Sequence, residues 1–94
     1  MKEKILKEGA ANWCHGIGSV GGKLVLTNKT LYFEGHKSNI GKKEYEVELE
    51  DIEDIQTGFL NKLIIITNSG KEEFAVNGKK DWVAQIENAK EELE

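Results

Sequence analysis

Hydrophobic and polar positions alternate with period two over most of the first three quarters of the chain. Leu24 and Leu26 fall on one face with Val25 opposite, and after Asn28-Lys29 the pattern resumes with Leu31 and Phe33 against Tyr32 and Glu34. Two such runs around a short polar break containing Asn predict a hairpin. The cleanest alternation follows, with Glu44, Glu46, Glu48 and Glu50 interleaved by Tyr45, Val47 and Leu49. It predicts a strand with three apolar residues on the core and four acids in water. Ile52 and Ile55 stand three apart, so a single turn or bulge is expected there, leading into a strand over 55–59. Leu63-Ile64-Ile65-Ile66 is continuous and predicts a strand buried on both faces or heavily covered. Asn68-Ser69-Gly70 is a turn signal, and 72–76 closes the series with Phe74 and Val76 inward.

Past Asn77-Gly78 the period becomes helical. Trp82, Ile86, Ala89 and Leu93 lie at i, i+4, i+7 and i+11, one stripe of a helix over about 79–93. Its charges oppose the helix dipole, with Lys79 and Lys80 in the first turn and Glu91, Glu92 and Glu94 in the last. Such a helix depends on docking its tryptophan stripe. Seven or so short antiparallel strands followed by one helix argue against a parallel α/β sheet. They predict a mainly β (α+β) fold, a small barrel or sandwich with the helix over one opening. The 94 residues read as a single domain, with strands within 4–77.

Seventeen acids against thirteen bases give a net charge of −4, and every base is lysine. Nucleic-acid binders carry a basic footprint, and arginine supplies the planar fork for phosphates and guanine edges. Nucleic acid is therefore not an expected partner. The longest aliphatic run, Leu63–Ile66, is far short of the roughly 20 residues of a membrane helix. The first eight residues lack a signal-peptide core. With one cysteine no internal disulfide can form, and the expected location is the cytoplasm, free or at the inner face of the membrane.

Gly16-Ile17-Gly18-Ser19-Val20-Gly21 matches G-x-G-x-x-G, but a strand rather than a helix follows it, so a turn between strands is expected. Cys14, His15 and His36 are too few for a structural zinc site, and nothing in the pattern activates Cys14 as a nucleophile. The acidic ladder lacks the calcium-loop spacing and its glycine; a solvated face guarding a sheet edge is the simpler reading. Neither a metal, a cofactor nor an enzymatic activity is expected. The most informative polar segment is Gly35–Lys43, where Lys37, Lys42 and Lys43 flank Ile40. It is a solvated hairpin turn or a contact for an anion or membrane surface with Ile40 at its tip.

Several blocks in order, Gly9–Trp13, Gly21-Gly22-Lys23-Leu24-Val25-Leu26-Thr27-Asn28, His36-Lys37-Ser38-Asn39-Ile40, and Phe74–Asn77 with Asp81-Trp82, resemble the bacterial GRAM domains, a branch of the pleckstrin-homology (PH) superfold. The resemblance covers nearly the whole chain. It implies a barrel of two nearly orthogonal antiparallel sheets, of four and three strands, capped by the C-terminal helix with Trp82 as its plug. It also implies a ligand end among the loops at Gly16–Gly22, Lys37–Lys43 and Asn68–Lys71. The spaced basic residues of phosphoinositide-binding relatives are reduced here to Lys23. The implied role is a non-enzymatic binding module for a protein or peptide partner or an anionic lipid surface. Lys23, Lys37, Ile40, Lys42, Lys43 and Lys71 are its candidate ligand-binding residues. Two alternatives stay open: a weak peripheral phospholipid binder, and a small ligand carrier or enzyme using a pocket in the barrel.

Overall fold

The computed structural model describes residues 3–15, 18–35 and 45–93. Seven strands precede one helix: β1 (Ile5–His15), β2 (Gly18–Thr27), β3 (Thr30–Gly35), β4 (Tyr45–Glu48), β5 (Ile52–Thr57), β6 (Lys62–Thr67), β7 (Gly70–Val76) and α1 (Lys79–Glu92). Every pairing is antiparallel, in the order β4-β3-β2-β1-β7-β6-β5. The expected halves of four and three strands are both present, but the β1–β7 ladder joins them into one sheet. β4 and β5 do not pair with each other, so the expected barrel is open along that seam.

Local chemistry explains the elements. The Thr27 hydroxyl accepts the backbone N–H groups of Lys29 (3.1 Å) and Thr30 (2.9 Å), which folds the β2–β3 turn back on itself. A single 3₁₀ turn at Leu49–Asp51 leads from β4 to β5, and a register shift follows between Ile52 and Asp54. Together they let both Ile52 and Ile55 reach the core, although they are three residues apart. The acids Glu46 and Glu48 on β4, and Glu53 and Asp54 on β5, are exposed along the two unpaired edges, where charge opposes edge-to-edge association.

Fifteen buried hydrophobic residues among those described form one cluster drawing on both halves of the sheet and on α1. Trp82 (2% exposed), Ile86 and Ala89 are the helix's contribution, and α1 packs on β5, β6 and the 3₁₀ turn. Val25 is buried outside that cluster, on the opposite face of β2 from Leu24 and Leu26.

Four expectations are corrected. Leu93 lies past the last helical residue and is 43% exposed, because the helix ends before the stripe completes its fourth contact. The strand expected over 55–59 is shifted to Ile52–Thr57, which leaves Phe59 in the β5–β6 turn. Ile64 and Ile66 are only half-buried, since β6 has a single core face carrying Leu63 and Ile65. Gly18–Gly22 is strand rather than loop, and β7 likewise begins at Gly70. Glycine at 22 has a packing reason: a Cβ there would lie 2.2 Å from the Glu34 carbonyl oxygen and 2.7 Å from the Phe33 ring.

Three substitutions test this packing. Trp82→Ala should cost about 3–5 kcal/mol and lower the melting temperature by more than about 12 °C. Gly22→Ala should cost about 1–3 kcal/mol or more, while Gly18→Ala, whose Cβ would meet nothing within 4 Å, should change stability by no more than about 0.5 kcal/mol. Thermal melts of the three variants against the parent check both statements.

Candidate functional site at the aromatic rim

Four rings from four strands meet where β1 and β3 approach their C-terminal ends. Alternation places Trp13 two residues beyond buried Ala11 on β1, and Phe74 two before buried Val76 on β7; the two are register partners. Phe33 and Tyr45 are partners across β3 and β4. The Trp13 ring lies 5.8 Å from Phe33, 5.8 Å from Tyr45 and 6.3 Å from Phe74, and Phe74 lies 5.7 Å from Tyr45. Offset and tilted ring pairs at such distances add attraction beyond simple burial. Phe33 and Phe74 are fully buried, whereas Trp13 and Tyr45 are half-buried and form the outer layer.

A carboxylate completes this rim. Glu72 shares the inward face of β7 with Phe74 and Val76, and its Oε1 accepts the Trp13 indole N–H at 2.8 Å. Burial, with a smaller contribution from the charge of Glu72, pushes the Tyr45 phenol up to about 12. Tyr45 is thus neutral at physiological pH, beside a carboxylate. The candidate residues identified from sequence did not include this group. The available signal was an acid on the core side of the alternation 72, 74, 76.

The candidate lysines do not converge among the described residues. Lys23 stands opposite Ala10 on β1 and Glu34 on β3, and ion-pairs with Glu8 at 3.0 Å. Hydrogen bonding to Glu8 raises its pKa. Lys71 lies two residues before Glu73, the partner of Cys14, and reaches Glu73 at 3.8 Å. Glu73 also holds Lys62 at 3.1 Å and raises its pKa. Lys37, Ile40, Lys42 and Lys43 lie outside the described residues. The strands bounding their segment, β3 and β4, carry Phe33 and Tyr45 of the rim.

Cys14 is half-buried on β1, with its Sγ 3.7 Å from the Asn12 carbonyl. No cluster of three or more His, Cys, Asp or Glu able to hold a metal occurs among the described residues. No helix among them is long and apolar enough to cross a membrane. Surface cavities among the described residues include two lined as follows. One, of about 230 Å³, is lined by Ala10, Asn12, Gly21, Asn61, Ala75 and Asn77, and the other, of about 320 Å³, lies beside the β5–β6 turn.

The rim makes a spectroscopic prediction. Because the folded Tyr45 pKa is raised above its ordinary value, its contribution to stability is complete below about pH 10 and is lost as pH rises through about 12. An alkaline absorbance titration should show a late tyrosinate phase near pH 12, and Tyr45→Phe should remove it. Full tyrosinate development by about pH 11 in the folded parent would contradict the rim geometry.

Comparison with known proteins bears on the fold. No protein-family model and no curated protein sequence matches the chain. Solved structures do. The N-terminal PH domain of human ARAP2 matches with a TM-score of 0.78 and 14% identity, over 93% of this chain and 80% of that one. The C-terminal domain of an unknown protein from Leishmania infantum matches at 0.74 and 20% identity, over 93% and 84%. The DH/PH domains of PDZ-RhoGEF, in complex with activated RhoA, match at 0.77 and 15% identity, over 95% of this chain and 30% of that one. At these identities the likeness establishes architecture: the chain has the PH-like fold, mainly β with a single C-terminal helix.

Proposed function

We propose that this protein is a non-catalytic binding module of the GRAM/PH type whose partner is a protein or peptide seated at the aromatic rim. The observation that carries this reading is the charge at the rim. Its inner wall presents Glu72 to the Trp13 and Tyr45 rings, and Glu73 on the next outward position engages both Lys62 and Lys71. A phosphorylated head group needs a surplus of cations, which the described rim lacks. Half-buried tryptophan and tyrosine are the side chains that anchor protein contacts. PDZ-RhoGEF supports the same direction, since its DH/PH domains were solved with a protein bound. Lys37, Ile40, Lys42 and Lys43, in the segment joining two rim strands, are the proposed contact set, together with Lys71. Lys23, held by Glu8, is assigned a structural ion pair. The site is one for cytoplasmic partners, and neither nucleic acid nor a cofactor enters the proposal. A pocket inside the barrel, as a ligand carrier would need, finds no support in an interior filled by core side chains.

A second reading is favoured by one feature, the three lysines around Ile40. That segment would rest on an anionic membrane at about 1 kcal/mol per lysine near the surface. The variant Lys37→Glu/Lys42→Glu/Lys43→Glu tests both readings. Used as bait in native cytoplasmic extract, it should lose a protein that the parent retains. If the parent binds anionic vesicles instead and the triple variant does not, the second reading replaces the first. Equal retention of all proteins by parent and variant would overturn the assignment of this segment.

A further inference from the structure

The β5–β6 turn, Gly58-Phe59-Leu60-Asn61, has no role in the core. Phe59 is 83% and Leu60 73% exposed, the two most exposed large hydrophobic residues among those described. Leu60 has φ +60°, the left-handed region that leucine rarely occupies and that glycine or asparagine adopts without difficulty. A bulky apolar residue thus stands in water, in a backbone conformation that disfavours it. Strain of this kind persists where the surroundings impose it and often marks function.

The surroundings do impose it. The Lys79 ammonium donates to the Gly58 carbonyl at 2.8 Å and to the Leu60 carbonyl. The Gly58 N–H donates to the Lys62 carbonyl at 3.0 Å, and the Val76 N–H to the Asn61 carbonyl at 2.9 Å. The turn is clamped on both sides, and its two large side chains project from it. This also accounts for a lysine placed against the helix dipole at the first position of α1. Lys80, next to it, is exposed and makes no ion pair among the described residues.

Charge beside the turn differs in sign from the chain's. Lys62 and Lys79 adjoin it and Lys80 follows Lys79 on α1, against one adjoining carboxylate, Glu73, which is paired with Lys62 at 3.1 Å. The whole sequence carries a net −4. Beside the turn a depression of about 320 Å³ runs from Phe59 and Leu60 to Ile64, with the paired Lys62 and Glu73 on its wall.

We propose that the β5–β6 turn is an anchor for an anionic lipid bilayer, with Phe59 and Leu60 entering the interface and Lys79 and Lys80 lying at the level of the head groups. Area and shape select this occupant. Two projecting side chains offer on the order of 300 Å², far less than the roughly 800 Å² per partner of a stable protein interface. An apolar tip ringed by ammonium groups is instead the arrangement that lies in a membrane interface. The β6–β7 turn, at the other end of β7, is not part of the anchor. This anchor is independent of the partner proposed for the rim.

The test is cosedimentation with phosphatidylcholine vesicles, with and without phosphatidylserine, at low and high salt. The parent should bind only the anionic vesicles, and less at high salt. Phe59→Ser/Leu60→Ser should weaken binding by about 100-fold or more, while Lys37→Glu/Lys42→Glu/Lys43→Glu should retain it. Leu60→Gly supplies the second readout: by relieving the left-handed leucine it should raise the melting temperature while weakening vesicle binding by about tenfold. No binding by the parent to anionic vesicles at low salt would overturn the proposal. So would undiminished binding by Phe59→Ser/Leu60→Ser, or a lower melting temperature for Leu60→Gly. A parent that sediments as a dimer, becomes monomeric on Phe59→Ser/Leu60→Ser and ignores vesicles would assign the turn to self-association and overturn it as well.

Discussion

The unpaired seam between β4 and β5 is the constraint on which the rest of the structure depends. A seven-stranded antiparallel sheet leaves that gap beside its core, and α1, with Trp82, Ile86 and Ala89 buried, packs on β5, β6 and the 3₁₀ turn that links the two seam strands. The helix is a poor one by itself. Its N-cap is Gly78 with no side-chain capping bond, and its first and last turns carry lysines and glutamates against the dipole. Fourteen residues with such ends would be marginal in water. Burial of Trp82 and Ile86, each contributing roughly 1.5–3 kcal/mol, is what makes it form. Two ammonium contacts hold its ends: Lys79 to the β5–β6 turn, and Lys90 to the Ile52 carbonyl at the start of β5. Helix and seam therefore stabilise each other, and neither is complete without the other.

Much of this was legible in the sequence because single-face alternation is a strong signal where one face is buried. The acids around Val47, the hairpin at Asn28-Lys29 and the stripe from Trp82 to Ala89 all followed that rule. It failed where two residues broke the period for a local reason. The 3₁₀ turn and register shift around Ile52 moved the start of β5, because a bulge restores the core face at a point that periodicity cannot see. The run Leu63–Ile66 suggested two covered faces, but apolar composition alone does not say whether a second layer exists to cover Ile64 and Ile66. The pattern placed Gly22 at the start of a strand, while the resemblance placed it in a loop; neither showed that its glycine serves the close approach of β3.

The candidate site was less legible than the fold. Lysines attract attention in a sequence, but their worth depends on neighbours that only the fold reveals. Glu8 engages Lys23, and Glu73 engages Lys62 and Lys71. The rim, by contrast, is made of ordinary core positions, and Glu72 stands out only once it is known to face inward beneath Trp13. Phe59 was expected in a strand, so its exposure could not be anticipated. The result is a molecule with separated surfaces: aromatic and locally neutral at the rim, acidic along both open edges, apolar and basic at the β5–β6 turn. A PH-like scaffold suits this division because the sheet and helix supply the rigidity while turns carry the chemistry.

Mutual dependence of helix and seam is tested most directly by removing the helix. A chain ending at Asn77 keeps all seven strands. In an amide proton–nitrogen NMR spectrum it should lose the dispersion of the parent and show no cooperative thermal transition, and dispersion should return when a peptide of residues 78–94 is added. A well-dispersed spectrum and a cooperative melt for the truncated chain alone would show that the sheet closes on its own core, and would contradict the account.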